Sequence, residues 1–164
     1  MTSMTQKRTI PASELIINED GTIFHLHLLP EQISDIVMLV GDPGRVAMVA
    51  SFFDTIECEV ENREFKTITG SYKGRRMTVL STGIGIGNID ICVTELDALA
   101  NIDFATRQVK DEFKQLTLVR LGTSGALQAD IKVGEAIFAA TSVGFDGLLN
   151  YYAGRNDVCD LEIE

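Results

Sequence analysis

The sequence has few of the residues that build metal centres. Its 164 residues include three cysteines, an odd number, and two histidines, which lie in the segment FHLH. The cysteines, Cys58, Cys92 and Cys159, share no CxxC or other metal-type spacing, so we expect free thiols and no structural metal. Because free thiols are typical of reducing compartments, they also favour a cytoplasmic protein.

Long apolar runs and an excess of positive charge are also absent. No run approaches the roughly 20 apolar residues that a membrane helix needs, and residues 1–21 lack the apolar stretch of a secretory signal. The 14 lysines and arginines face 24 aspartates and glutamates, which gives a net charge of −10. We therefore expect neither a membrane nor a nucleic acid as partner, because nucleic-acid binding depends on cations that neutralise phosphates.

Strand and helix patterns alternate along the chain. The apolar run at 36–40 predicts a strand covered on both faces, and a helical spacing of apolar residues follows it directly. Further strands are predicted at 55–60, on either side of a turn at 72–74, at 116–121 and at 134–143. Helices are predicted at 89–102, with Asn88 as the N-cap and Val93 on the inner face, and at 103–115. This alternation favours an α/β layered domain, preceded by a polar lead-in at 1–22.

Two arginines beside glycine turns indicate an anion site. Arg45 follows Gly41 across the turn GDPGR and opens a helix, where a cation is misplaced unless an anion joins it. Arg120 lies inside the apolar strand 116–121, where a buried guanidinium needs a carboxylate or an anionic ligand. Ligands of open α/β sheets bind at the carboxyl ends of the strands, so both arginines are expected at one edge, where they suit phosphate. The alternatives are a solvated Arg45 and a structural pair of Arg120 with Asp42.

A further glycine turn, STGIGIGN at 81–88, follows a strand and opens a helix. Its spacing is G-x-G-x-G, with Asn88 where a dinucleotide-binding fingerprint needs its third glycine, and no GxxxxGK[ST] loop occurs. These glycines therefore favour close approach of the backbone to another kind of ligand or to another chain.

In this order, the motifs GDPGR, NREF, STGIGIGN and RLGTSGAL resemble those of the nucleoside phosphorylases, and of uridine phosphorylases in particular, over residues 23–147. The resemblance implies a three-layer α/β/α fold of the phosphorylase/hydrolase-like type with a mixed central sheet. It also implies cleavage of a nucleoside to free base and ribose 1-phosphate, with phosphate as co-substrate and no organic cofactor. Segment 70–79 is also similar to hexameric purine nucleoside phosphorylases, so uridine is the first expectation and purine nucleosides are the alternative.

The same resemblance implies a set of site residues. Those implied to bind phosphate are Gly41, Arg45, Arg63, Arg120 and Thr123. Arg45 and Arg120 are also the implied catalytic residues, and Thr123 would lie near the ribose. From a neighbouring subunit, Arg63 would reach the phosphate and His25 would contact the ribose 5′-hydroxyl. A homo-oligomer is therefore expected, with a dimer as the smallest working unit and a hexamer as the larger alternative.

Three further residues, Glu64, Ile84 and Asn88, match a monovalent-cation site of some uridine phosphorylases. Asn88 stands where that site has a serine, so the resemblance implies a K⁺ site only in part. No other metal is expected.

Members of this family continue well past residue 164. We therefore expect residues 23–164 to be the truncated N-terminal part of one phosphorylase domain, inactive on its own. Two other interpretations stay open. One is a nucleosidase of the same superfamily, which uses water and needs no arginine clamp. The other is a non-catalytic module for oligomerisation or ligand binding.

Overall fold

Five strands form the main sheet of the structure, a computed structural model that describes residues 7–160 and 162. The strands of this part of the chain are β1 (Ile36–Val40), β2 (Thr55–Asn62), β3 (Phe65–Tyr72), β4 (Arg75–Ser81), β5 (Ile102–Asp103), β6 (Gln108–Val109) and β7 (Thr117–Leu121). The main sheet has the order β2-β3-β4-β1-β7, and β5 pairs with β6 separately. Strand β1 is parallel to β4 and β7, whereas β3 is antiparallel to β2 and β4. The mixed sheet confirms the expected α/β architecture.

Two helices, α1 (Pro43–Ala50) and α2 (Ile86–Asn101), cover opposite faces of the sheet. Alternate residues of a strand point to opposite faces, and β1 shows this directly. Val37 and Leu39 belong to the apolar cluster that contains Leu96 of α2. Val40 belongs to the cluster that contains Val46 of α1. Each such buried side chain stabilises the fold by about 1.5–3 kcal/mol, and the result is the expected three-layer α/β/α arrangement.

Helix α2 begins earlier than the sequence predicts. Its N-cap is Gly85, with a φ of 101° that favours glycine, and not Asn88, whose side chain donates to the carbonyl of Ile84. The inner face is also displaced: Val93 is 36% exposed, whereas Cys92 is fully buried. The prediction was wrong here because it assumed that a side chain caps the helix. The helix instead begins after Gly85, whose backbone adopts a conformation that other residues rarely take.

The predicted helix at 103–115 is wrong. Strands β5 and β6 form a short hairpin in this segment, because Asp103 accepts hydrogen bonds from the backbone N–H groups of Ala105 and Thr106 and so closes a turn. Arg107 then takes a positive φ of 56°. Its carbonyl accepts a hydrogen bond from the N–H of the distant Ile10, and its side-chain Nε donates to the Ile10 carbonyl. A local propensity for helix is overridden by these tertiary contacts.

The predicted lead-in at 1–22 lies in part outside the described residues, as do positions 161, 163 and 164 of the predicted domain. Within 7–22, Leu15 and Thr22 are buried, and Ile17 forms an isolated bridge with Ile23. The division of the chain at residue 22 stays a prediction.

The chain divides into two compact units, with the boundary after Gly122. The described residues of the second unit contain a 3-10 turn (Leu148–Tyr151) and helix α3 (Arg155–Val158) but no strand. The predicted strand at 134–143 is therefore wrong, since a strand needs a partner for its backbone groups and this segment pairs with no other strand in the part of the chain that the structure describes. No helix in the described residues is long and apolar enough to cross a membrane.

Cys92 provides a test of the packing of α2. Burial, together with the nearby carboxylates of Glu95 and Glu64, raises the pKa of this thiol to about 12. The unfolded thiol ionises near its ordinary pKa of 9.0, so above that pH the unfolded state has lost a proton that the folded state keeps. Stability should therefore fall with rising pH in this range, by at most roughly 1.4 kcal/mol per pH unit from this group.

Urea unfolding measures this effect at two pH values. The first, pH 8.5, is about half a unit below the ordinary thiol pKa, and the second, pH 10.5, is well above it. The Cys92→Ala variant is the control, because it keeps every other titrating group and lacks the thiol. We expect a steeper loss of stability in the wild-type chain than in the variant. The same pH dependence in both would contradict a buried, protonated Cys92.

Candidate anion site at the carboxyl edge of the sheet

Three parallel strands, β4, β1 and β7, end at the same edge of the sheet, and a glycine follows each of them. Gly41 directly follows β1, Gly122 directly follows β7, and Gly83 comes two residues after β4. A Cβ atom added to Gly41 would lie 3.4 Å from Nη2 of Arg120 and 3.8 Å from the carbonyl oxygen of Gly83. The glycine turns singled out in the sequence therefore converge, and their small size leaves room beside the Arg120 guanidinium.

Arg45 lies in the first turn of α1, at this same edge. Pro43 occupies the first helical position, and the carboxylate of the N-cap Asp42 accepts a hydrogen bond of 2.8 Å from the N–H of Gly44. The half-buried Arg45 thus lies in the first turn of a helix whose N-terminal N–H groups favour negative charge. The strand-to-helix turn places Arg45 at the carboxyl end of β1, and its role in binding an anion stays a prediction.

The prediction that Arg120 is buried is wrong. Arg120 is exposed, and its Nη1 donates a 2.6 Å hydrogen bond to the carbonyl of the adjacent Leu121. The reason is its strand: β7 is last in the sheet order and, among the described residues, pairs only with β1, so its side chains, such as Val119 at 42%, remain open to solvent. The argument from the cost of burying an unpaired charge therefore does not apply to Arg120.

Neither arginine is neutralised within the residues that the structure describes. No ion pair of Arg45 or Arg120 is found among them, and the alternative pair of Arg120 with Asp42 does not form. Arg45 and Arg120 thus belong to elements that meet at one edge of the sheet, beside glycine turns. This arrangement can hold an oxyanion through charge-assisted hydrogen bonds.

Thr123, the fifth residue expected to bind phosphate, begins the second unit and is exposed. Its place beside Arg45 and Arg120 stays a prediction.

His25 and Arg63 are brought together on one surface. Arg63 takes a positive φ of 57° in the turn between β2 and β3, and its guanidinium lies 5.6 Å from the centroid of the Phe24 ring. The Phe24 ring meets the His25 ring edge to face, with centroids 4.7 Å apart. Asn62, which precedes Arg63, donates a 2.7 Å hydrogen bond to the carbonyl of His25. His25 and Arg63, the two residues implied to act in a neighbouring subunit, therefore lie close together, with Phe24 in contact with both.

The sequence interpretation missed Glu95, which lies on α2 beneath His25. Glu95 is 9% exposed, and its carboxylate accepts a hydrogen bond of 2.7 Å from Nδ1 of the His25 ring. A signal was available: Glu95 falls between Cys92, Leu96 and Leu99 at helical spacing, so a carboxylate stands on the apolar face of an amphipathic helix. Such a group needs partners that only the folded chain supplies.

Glu64, Ile84 and Asn88, which resemble a cation site, do come together. A Cβ atom added to Gly83 would lie 2.8 Å from Nδ2 of Asn88 and 3.0 Å from Cγ of Glu64. As arranged, however, Nδ2 of Asn88 donates to the Ile84 carbonyl at 3.2 Å, and a cation would need that oxygen as a ligand. The three groups do not fit a cation unless this amide rotates, so a K⁺ site stays a prediction.

Comparison with known proteins agrees with these features. Residues 35–161 match the family model of the phosphorylase superfamily. The chain is 33% identical over 147 residues to the uridine phosphorylase of Thermococcus kodakarensis. This match covers 88% of the chain and 48% of that protein. It is 36% identical over 128 residues to the guanosine phosphorylase of Halorubrum lacusprofundi, and this match covers 77% of the chain and 47% of that protein.

A solved structure shows the same fold. A Trypanosoma brucei nucleoside phosphorylase, described as showing uridine phosphorylase activity, superimposes with a TM-score of 0.64 at 34% identity. The match covers 72% of this chain and 41% of that one. The similarity confirms the expected phosphorylase-like fold, and the chain spans about half the length of the curated relatives that it matches.

Proposed function

Because the chain belongs to the phosphorylase superfamily, we propose that the whole protein is a nucleoside phosphorylase. The reaction is phosphate-dependent cleavage of the N-glycosidic bond, which yields free base and ribose 1-phosphate. The observation that supports it best is the pair Arg45 and Arg120, which lie at the carboxyl edge of three parallel strands without a carboxylate partner among the described residues. A phosphate ion is the co-substrate that such a pair can hold.

In this mechanism, phosphate attacks the anomeric carbon of the ribose. The transition state resembles an oxocarbenium ion, as in other glycosyl transfers, so the negative phosphate stabilises the positive charge that develops on the ring. Arg45, Arg63 and Arg120 hold the phosphate in position for the attack. Gly41 and Thr123 complete its surroundings, and Thr123 also lies near the ribose. The reaction needs neither an organic cofactor nor a nucleophilic side chain.

Uridine is the substrate that we propose first. The Thermococcus relative, matched over 88% of this chain, is named for uridine. The Halorubrum relative is named for guanosine, so a purine nucleoside is the alternative. We propose nucleoside salvage in the cytoplasm as the role of this reaction.

A neighbouring subunit completes the site in this proposal. His25 and Arg63 share one surface through Phe24, which suits two residues that enter the site of a partner together. A homodimer is then the smallest working unit, and a hexamer is the larger alternative. We also propose that the 164-residue chain alone is inactive, because it spans about half the length of its relatives.

The test is base release by the whole protein from uridine and from guanosine, with and without inorganic phosphate. We expect release that requires phosphate and equals the ribose 1-phosphate formed. Equal release without phosphate would mean a nucleosidase instead. Binding of nucleoside without any release would favour a non-catalytic module. In either of these cases the proposed reaction is wrong.

A further inference from the structure

A buried carboxylate without a lysine or arginine partner calls for an explanation, and Glu95 is such a group as far as the described residues extend. It lies on the sheet side of α2 among apolar residues such as Leu96 and is 9% exposed. Its one ion-pair partner among the described residues is the ring of His25. Removing a carboxylate from water is costly unless hydrogen bonds replace its hydration, so the donors that surround Glu95 indicate its role.

All of those donors come from one short segment. The backbone N–H of His25 points between the two carboxylate oxygens, at 3.0 and 3.1 Å, and the N–H of Leu26 lies 2.8 Å from Oε2. The third donor is Nδ1 of the His25 ring, 2.7 Å from Oε1. A carboxylate accepts and cannot donate, so Nδ1 must carry its hydrogen. In the neutral imidazole, Nε2 is then left with a lone pair.

The rest of the His25 environment keeps the ring in this orientation. Phe24 and Phe65 meet the ring edge to face, with centroids 4.7 and 6.5 Å away, and Asn62 holds the His25 carbonyl at 2.7 Å. The side chain nevertheless stays 27% exposed, and it lines a cleft of about 200 Å³. No protein donor to Nε2 is found in the described part of the chain.

We propose that Glu95 is a positioning residue for His25: it fixes the hydrogen on Nδ1, so that Nε2 accepts a hydrogen bond from a hydroxyl group of the ligand. The identification of that hydroxyl rests on the proposed function, in which it is the 5′-hydroxyl of the nucleoside bound in a neighbouring subunit. Glu95 thereby sets a preference for nucleosides that carry this hydroxyl. It touches neither phosphate nor the bond that breaks.

The hydrogen position can be read directly by nitrogen-15 NMR of the imidazole rings. The sequence has two histidines, and the second provides an internal control with the opposite geometry. In His27 it is Nε2 that faces a carboxylate, Asp20 Oδ2 at 3.0 Å, while Nδ1 lies 3.4 Å from the Asn18 amide nitrogen. We expect the hydrogen on Nδ1 in neutral His25 and on Nε2 in neutral His27. His27→Gln assigns the two signals.

The NMR result does not depend on activity. Neutral His25 with its hydrogen on Nε2 would overturn the proposal, whatever reaction the protein catalyses. If the hydrogen lies on Nδ1, the positioning step stands, even if the whole protein proves inactive towards nucleosides and the proposed function fails.

The second measurement is kinetic and uses the whole protein with a nucleoside and its 5′-deoxy analogue. For Glu95→Gln we expect kcat/KM to fall roughly tenfold or more with the 5′-hydroxyl substrate, the range of a lost hydrogen bond. With the 5′-deoxy analogue we expect a change of less than about twofold, because no hydroxyl is then available to Nε2. Asp97→Asn, on the exposed side of the same helix, should leave both values unchanged.

A double variant separates positioning from a general packing defect. If Glu95 acts through His25, adding Glu95→Gln to His25→Gln should cause no further loss with the 5′-hydroxyl substrate. Equal losses on both substrates, or additive losses in the double variant, would show that Glu95 only stabilises the fold, and the proposal would be wrong.

Discussion

Replacement of Arg120 by alanine is expected to remove phosphate binding by the chain. Arg120 is exposed and lies beside Gly41 at the carboxyl edge, so its side chain is available to an anion without rearrangement of the core. Hydrogen bonds to charged groups contribute about 1.5–3 kcal/mol each, and a guanidinium can form two to one phosphate. The loss should therefore weaken binding by roughly a hundredfold or more.

Isothermal titration calorimetry of the 164-residue chain with inorganic phosphate measures this effect. Arg75→Ala is the matched control, because Arg75 is an exposed arginine at the amino end of β4, the opposite edge of the same sheet. We expect wild-type affinity in the control and no measurable binding in Arg120→Ala, with unchanged melting temperatures in both. Wild-type affinity in Arg120→Ala would remove this residue from the proposed phosphate site.

Replacement of Gly70 by alanine is expected to destabilise the fold strongly. Gly70 lies inside β3, where the β2 backbone passes unusually close. A Cβ atom at this position would lie 2.1 Å from the carbonyl oxygen of Thr55 and 2.8 Å from Cδ2 of Phe53. The nearest obstacle is backbone, so the two strands would have to separate beside the register shift between Ile56 and Cys58.

We expect Gly70→Ala to lower the free energy of unfolding by about 3 kcal/mol or more, the upper range for overpacking. Urea unfolding followed by circular dichroism measures the change. Gly87→Ala is the control, because Gly87 lies in the first turn of α2 with no atom within 4 Å of its added Cβ. Alanine should be neutral or stabilising there by up to about 1 kcal/mol. Similar effects of the two substitutions would contradict the close approach of β2 to Gly70.

These two tests address different levels of organisation. Gly70 concerns packing between adjacent strands, whereas Arg120 concerns chemistry at the open edge of the sheet. A chain with Arg120→Ala that is stable but does not bind phosphate would separate the anion site from the fold. The proposed phosphate-dependent reaction requires such a separable site.

The amino-acid sequence alone determined the strands β1 to β4 and β7, the layered α/β class and the edge of the sheet at which the glycine turns converge. These features follow from local periodicity, from glycine at the ends of apolar runs and from the rule that parallel strands end together. Tertiary structure decided the rest. The exposure of Arg120 depends on β7 being last in the sheet, and the hairpin at 102–109 depends on contacts with Ile10. The bond between His25 and Glu95 joins residues 70 positions apart, and no local pattern encodes a partner at that distance, because it is the packing of α2 on the sheet that brings the two together.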